Sequence, residues 1–190
     1  SNPAEYVKPP KGKPKKERKP LTYEEMTRVK NGVLCDFGFL AFFLLYTGLR
    51  KGEALALTYG DIDVKNNKIY INKSLEHIGN RPNVKTTKTE SGNRIVPLPE
   101  IIKNMLPKKK KNSDIVFSQD GAHMRKSYFR YHWMKYCKNV GIKATPHQFR
   151  HTYATFLFEC GITEKDAQFI LGHSDIALTY NIYTHVREDR

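Results

Sequence analysis

At 190 residues, 39% hydrophobic and 27% charged, the chain holds enough apolar material for one domain with a real core, and its length alone does not argue for two. Thirty-three lysines and arginines against 19 aspartates and glutamates give a formal charge of +14, which points to a polyanionic partner. No amphipathic Lys/Arg helix with an aromatic face is present to lie on a membrane, so nucleic acid is the favoured polyanion.

Residues 1–20 hold seven basic and two acidic side chains, so the other 170 still carry +9. With Pro9, Pro10, Pro14 and Pro20 set among lysines, this stretch forms neither helix nor sheet. It reads either as a solvated tail or as a strap along DNA phosphates. Cys35, Cys137 and Cys160 are odd in number and lack any CxxC, which suits reduced, buried thiols in a cytoplasmic setting. No signal peptide is visible, and the absence of an initial methionine suggests a fragment whose N-terminal part lies elsewhere.

Thr22 can cap a first helix with Glu24 and Glu25 in its opening turn. From Leu34 to Tyr46 the sequence is apolar on every side and shorter than a membrane span, so a central core helix is expected. Thr47-Gly48 breaks it, and Leu49 to Leu55 starts a short helix. On that helix Glu53 shares a face with Arg50 and could hold its guanidinium. The pair is either a plain structural ion pair or a pre-aimed fork for phosphate.

Strands are expected at Lys68–Asn72, Asn83–Thr89 and Arg94–Pro97, with a turn at Glu90-Ser91-Gly92-Asn93. They suggest a small antiparallel sheet with Lys88 at a hairpin tip and Lys85 as its rival. Lys108 to Lys111 mark a loop, and a helix over 125–139 interleaves Tyr128, Phe129, Tyr131 and Trp133 with Arg130. That helix faces either a groove or the core.

Thr145, Pro146 and Gly161 punctuate a helix over 146–160. Phe149, Tyr153, Phe156, Leu157 and Cys160 are expected on its apolar face, with His147, Arg150 and His151 on or beside the opposite one. Phosphate donors at a helix N-terminus make an anion site. The spacing of His147 and His151, with His173, also admits a metal, but Gln148 stands where a metalloprotease helix carries its Glu, and Arg150 would repel a cation. A short helix follows from Glu164 to Leu171, then Gly172-His173 and a last helix over Ala177–Tyr183 with two tyrosines, Tyr180 and Tyr183. Cations nearby would favour a phenolate nucleophile.

Taken in order, five boxes resemble those of the tyrosine recombinases, the phage-integrase family. They are Thr47-Gly48-Leu49-Arg50 with Gly52-Glu53; Lys88 ahead of Arg94-Ile95-Val96-Pro97-Leu98; His147-x-x-Arg150-His151-Thr152; Leu171-Gly172-His173-Ser174; and Ile182-Tyr183-Thr184-His185-Val186. The match runs over about residues 21 to 187. Phe149 departs from the Leu more common in its box.

The resemblance implies a mainly α fold with a small three-stranded antiparallel β-sheet, and strand cleavage through a 3′-phosphotyrosyl bond. By it, Arg50 and Arg150 clamp the scissile phosphate, Lys88 protonates the leaving 5′-oxygen, and His147 is acid and base for the nucleophile. His173 bonds a phosphate oxygen, Tyr183 attacks, and Glu53 and His151 support the set. Lys51, Lys85, Arg94 and Arg130 are the expected DNA contacts. Neither metal nor other cofactor is implied.

Residues 1–20 would be a linker and 21–190 the catalytic domain of a DNA integrase acting for a phage or mobile element in a bacterial cytoplasm. A core-binding domain would precede them. The working form would be a homotetramer on double-stranded DNA and the isolated fragment a monomer, with only four residues after Val186 to dock on a neighbour. The rivals are a non-catalytic DNA-binding module and a type IB-like relaxing enzyme.

Overall fold

The computed structural model describes residues 19–86, 93–108 and 110–172. Helix α1 (Tyr23–Asn31) starts as its sequence requires: Thr22 Oγ1 accepts from the Glu25 amide, and the Glu25 carboxylate accepts from the Thr22 amide. The Leu21 amide donates to Thr152 Oγ1 at 2.9 Å and Gln148 Nε2 to the Lys19 carbonyl at 3.2 Å, so the chain enters the domain beside the helix that carries His147 and Arg150.

Helix α2 (Gly38–Thr47) is the centre of the core, with Leu40, Ala41, Phe43 and Leu44 at 2% exposure or less. It begins four residues later than expected. Phe37 takes a left-handed conformation, φ 65°, and its ring stacks on His132 at 5.3 Å, while Leu34 points into solvent. His132 Nδ1 lies 2.6 Å from Asp36 Oδ2, which fixes the same turn. The helix stops at Gly48, φ 63°, where an added Cβ would fall 2.1 Å from the Tyr153 ring; only glycine fits both the angle and the space.

Helix α3 (Lys51–Ala56) follows, then a 3-10 turn (Tyr59–Asp61) and the strands. Strands β1 (Ile62–Asp63), β2 (Lys68–Ile71) and β5 (Arg94–Pro97) form one antiparallel sheet, with Ile69 opposite Val96 and Ile71 opposite Arg94. Strands β3 (Lys73–Ile78) and β4 (Arg81–Thr86) make a separate hairpin. The three-stranded sheet is therefore present, but its partners differ from those expected. Arg94–Pro97 pairs with Lys68–Ile71, and the stretch around Asn83 pairs with Lys73–Ile78, whose single buried residue, Leu75, gives almost no alternation to read. The turn carrying Lys88 lies outside the described residues.

After α4 (Glu100–Lys103) and the small β6–β7 pair (Ser118–Gln119, Ala122–His123) come α5 (Lys126–Val140), α6 (Pro146–Glu159) and α7 (Glu164–Leu171). Trp133 and Phe149 join α5 to α6, rings edge to face at 5.3 Å. Because α6 packs on both α2 and α7, its burial is not the single stripe expected. Phe149, Arg150, Thr152, Ala154 and Phe158 are buried, whereas Phe156 and Cys160 are exposed. Cys35 is exposed too, so only Cys137 is a buried thiol. Among the described residues no helix is long and apolar enough to cross a membrane.

Candidate active site

Arg50 is the N-cap of α3, and Glu53, one turn on, reaches back to it. The Arg50 amide donates to Glu53 Oε2 at 2.8 Å and Arg50 Nη1 to Oε1 at 2.9 Å. Arg94 arrives from β5, where alternation sends it inward with Val96. Its Nη1 and Nη2 fork onto Glu53 Oε1 and Oε2 at 2.9 and 2.8 Å, with both side chains 3% exposed or less. Burial alone would raise the Glu53 carboxyl, but the fork from Arg94, the charge of Arg150 and the Arg50 amide hold it down at about 2.

Arg150, on the second turn of α6, is 3% exposed. Its Nη1 donates to the Gly48 carbonyl at 2.9 Å and its Nη2 to the Leu171 carbonyl. Burial, then the like charge of Arg50, push its guanidinium down to about 9; Glu53 opposes this and Arg94 adds to it. At neutral pH the group is charged, poorly hydrated and crowded by cations, a place where an anion is welcome.

The three arginines meet again at the end of α7. Its last carbonyls have no partner within the helix, and each is taken by a different guanidinium: Ile170 by Arg94 Nε at 2.8 Å, Leu171 by Arg150 Nη2, Gly172 by Arg50 Nη2 at 2.8 Å. Cations at a helix C-terminus also suit its dipole. Gly172 caps the helix with φ 64°, and the next residue is His173. The structure thus brings Arg50, Glu53 and Arg150 together from distant parts of the chain. Arg50, with its side chain 44% exposed, forms the solvent-facing side of the cluster.

His147 and His151 lie on the first two turns of α6, His147 exposed and His151 half-buried, their rings edge to face at 4.5 Å. Lys88, His173, Tyr180 and Tyr183 are outside the described residues. Of the four expected DNA contacts, Arg94 is buried and engaged by Glu53 and the Ile170 carbonyl. Lys51 is half-buried, its Nζ 5.0 Å from the Phe129 ring centre, and burial and then Lys126 lower its pKa. Lys85 is exposed on β4 and paired with Glu76 at 2.6 Å. Arg130 is exposed on α5, beside a surface hollow of about 400 Å³ that Tyr131 and Met134 also line. The link from Arg94 to Glu53 was missed in the sequence. Its signal was the position of Arg94 two residues before Val96, on the inward face of a strand.

The model of the phage integrase family matches residues 36–190. The chain belongs to the phage integrase family. It is 32% identical over 213 residues to a XerC-like tyrosine recombinase of Caldanaerobacter subterraneus subsp. tengcongensis, covering 93% of this chain and 53% of that one. It is 33% identical over 170 residues to the transposase of transposon Tn916 from Enterococcus faecalis, covering 77% and 41%. This integrase-family chain therefore spans about half the length of the curated relatives it matches. Among solved structures, the Tn1549 transposon integrase in complex with circular intermediate DNA superposes with a TM-score of 0.74 at 26% identity, over 88% of this chain and 63% of that one. The XerA recombinase gives 0.69 at 26%, over 95% and 65%.

Proposed function

We propose that this integrase-family chain is the catalytic part of a site-specific DNA recombinase, with residues 1–20 as a basic linker and 21–190 as the catalytic domain. The observation that carries the reading is the convergence of Arg50, held by Glu53, and Arg150 on the carbonyls at the end of α7, one residue before His173. Two fixed guanidiniums suit a phosphodiester whose non-bridging oxygens gain charge as a fifth ligand arrives at phosphorus.

In this mechanism the Tyr183 phenolate oxygen attacks the scissile phosphorus and the bond to the 5′-oxygen breaks, leaving a 3′-phosphotyrosine and a 5′-hydroxyl. His147 takes the phenol proton, Lys88 delivers one to the departing oxygen, and His173 donates to a phosphate oxygen. Attack by a 5′-hydroxyl from the partner duplex reverses the step and releases Tyr183. The covalent bond keeps the phosphodiester energy, so rejoining needs no external energy source. The working assembly is a homotetramer on double-stranded DNA in a bacterial cytoplasm, inserting or excising a phage or mobile element. Lys51, Lys85 and Arg130 meet phosphates outside the cut site. The DNA bound by the Tn1549 integrase, and the family membership, support this reading.

The test is covalent capture. A pool of nicked duplexes with randomised sequence is incubated with the chain, and strands that survive denaturing washes are recovered. Adduct is expected, and Tyr183→Phe should abolish it while duplex binding persists. Adduct from the Phe variant would move the nucleophile to Tyr180. No adduct from the wild type, with binding intact, would leave only a DNA-binding module. For Lys88→Ala, a 5′-bridging phosphorothiolate, whose leaving group needs no proton, should restore cleavage; no recovery would remove Lys88 from the general-acid role.

A further inference from the structure

Within the Glu53 cluster, Arg94 and Arg50 hold the same carboxylate from opposite sides. Oε1 accepts from Arg94 Nη1 and Arg50 Nη1, both at 2.9 Å, and Oε2 from Arg94 Nη2 and the Arg50 amide, both at 2.8 Å. Arg94 is the inner partner, its side chain 2% exposed, and its Nε donates to a main-chain oxygen, that of Ile170. Arg50 is the outer partner, open to solvent. A carboxylate as buried as Glu53 stays ionised only because cations and N–H groups surround it. If it took a proton, one oxygen would become a donor and the paired grip on the Arg50 amide and Nη1 would fail. The anchor is stiff, because β5 is paired along its length with β2 and Arg94 sits opposite Ile71 in that register.

Resting on the reading of Arg50 and Arg150 as a phosphate clamp, we propose that Arg94 is a positioning residue for strand cleavage, holding Glu53 so that Arg50 stays aimed at the scissile phosphate without itself touching DNA. Loss of aim costs more in the transition state than in the bound ground state, because charge on the phosphoryl oxygens peaks there. The effect therefore belongs in the rate and not in the affinity.

Arg94→Lys in the 190-residue chain is compared with wild type on a duplex recovered by covalent capture, by single-turnover adduct formation at saturating DNA. The rate should fall about 100-fold or more, while the half-saturating DNA concentration stays within about twofold and its salt dependence is unchanged. The deficit should widen from pH 7 to pH 5, because one ammonium replaces a two-point fork and leaves Glu53 easier to protonate. A weaker affinity with a salt slope lower by about one would make Arg94 a phosphate contact and overturn the proposal. So would an unchanged rate, or a deficit independent of pH, either of which would mark Arg94 as purely structural.

If Arg94→Lys shows no cooperative melting, Glu53→Gln is compared with Glu53→Gln/Arg94→Gln, whose amides can pair without charge. Rates within about fivefold support action through Glu53, and a larger gap contradicts it. Absence of adduct from the wild type is a separate result, which removes the strand-cleavage reading and the Arg94 role together.

Discussion

The basic residues fall into two populations that obey different physics. Arg94 and Arg150 are buried, and each is matched to a carboxylate or to main-chain carbonyls at hydrogen-bond distance. Lys85 and Arg130 stand in solvent, Lys85 beside a carboxylate that is itself exposed. A buried cation is tolerated only when the fold supplies its partners, so its charge organises protein. An exposed one is screened, interchangeable and available to phosphate at long range. The charge of +14 attracts a polyanion, but the buried arginines shape the candidate site.

The largest effect that would break this division is on stability. Glu53→Ala leaves Arg94 and Arg150 without their counter-charge and should cost about 3–5 kcal/mol, read from denaturant unfolding. A loss under about 1 kcal/mol would mean that the guanidiniums are hydrated after all. Next is acid. Glu53 ionises at about 2 when folded, against 4.5 ordinarily, so protons bind the unfolded chain more readily. Its stabilisation is complete above pH 4.5 and is lost as pH falls from there towards 2, roughly 3 kcal/mol in all. Wild type should show this excess pH slope over Glu53→Gln; parallel curves would deny the depressed pKa. The smallest effect concerns the exposed set. Lys85→Ala and Arg130→Ala should leave the melting temperature where it is but lower the salt slope of duplex binding by about one each. A residue whose removal leaves the slope intact does not meet a phosphate.

Much of the architecture was legible in the chain. Thr22 with Glu25, Thr145 with Gln148 and the glycines at 48 and 172 punctuate helices by chemistry that acts within a few residues, and those helix ends fall where the sequence places them. The nearness of Arg50 to Glu53 was legible for the same reason. What could not be read was set by distant contacts. Phe37 delays α2 because His132, on α5, stacks against it. Lys73–Ile78 is a strand because Arg81–Thr86 lies beside it, with little pattern of its own. Arg150 is buried because α6 is covered by both α2 and α7, and Arg94 turns inward to a carboxylate 41 residues away.

The grip of Arg94, Arg150 and Arg50 on Ile170, Leu171 and Gly172 is made wholly to main-chain oxygens. The cluster therefore checks how far the helix has turned, and is blind to which side chains it bears. Replacing Ile170 or Leu171 would disturb packing yet leave all three acceptors in position. Inserting a single residue into α7 would rotate its end by about 100° and present every oxygen to the wrong guanidinium. In this corner of the molecule, phase along the helix is the inherited information, and the letters are secondary to it.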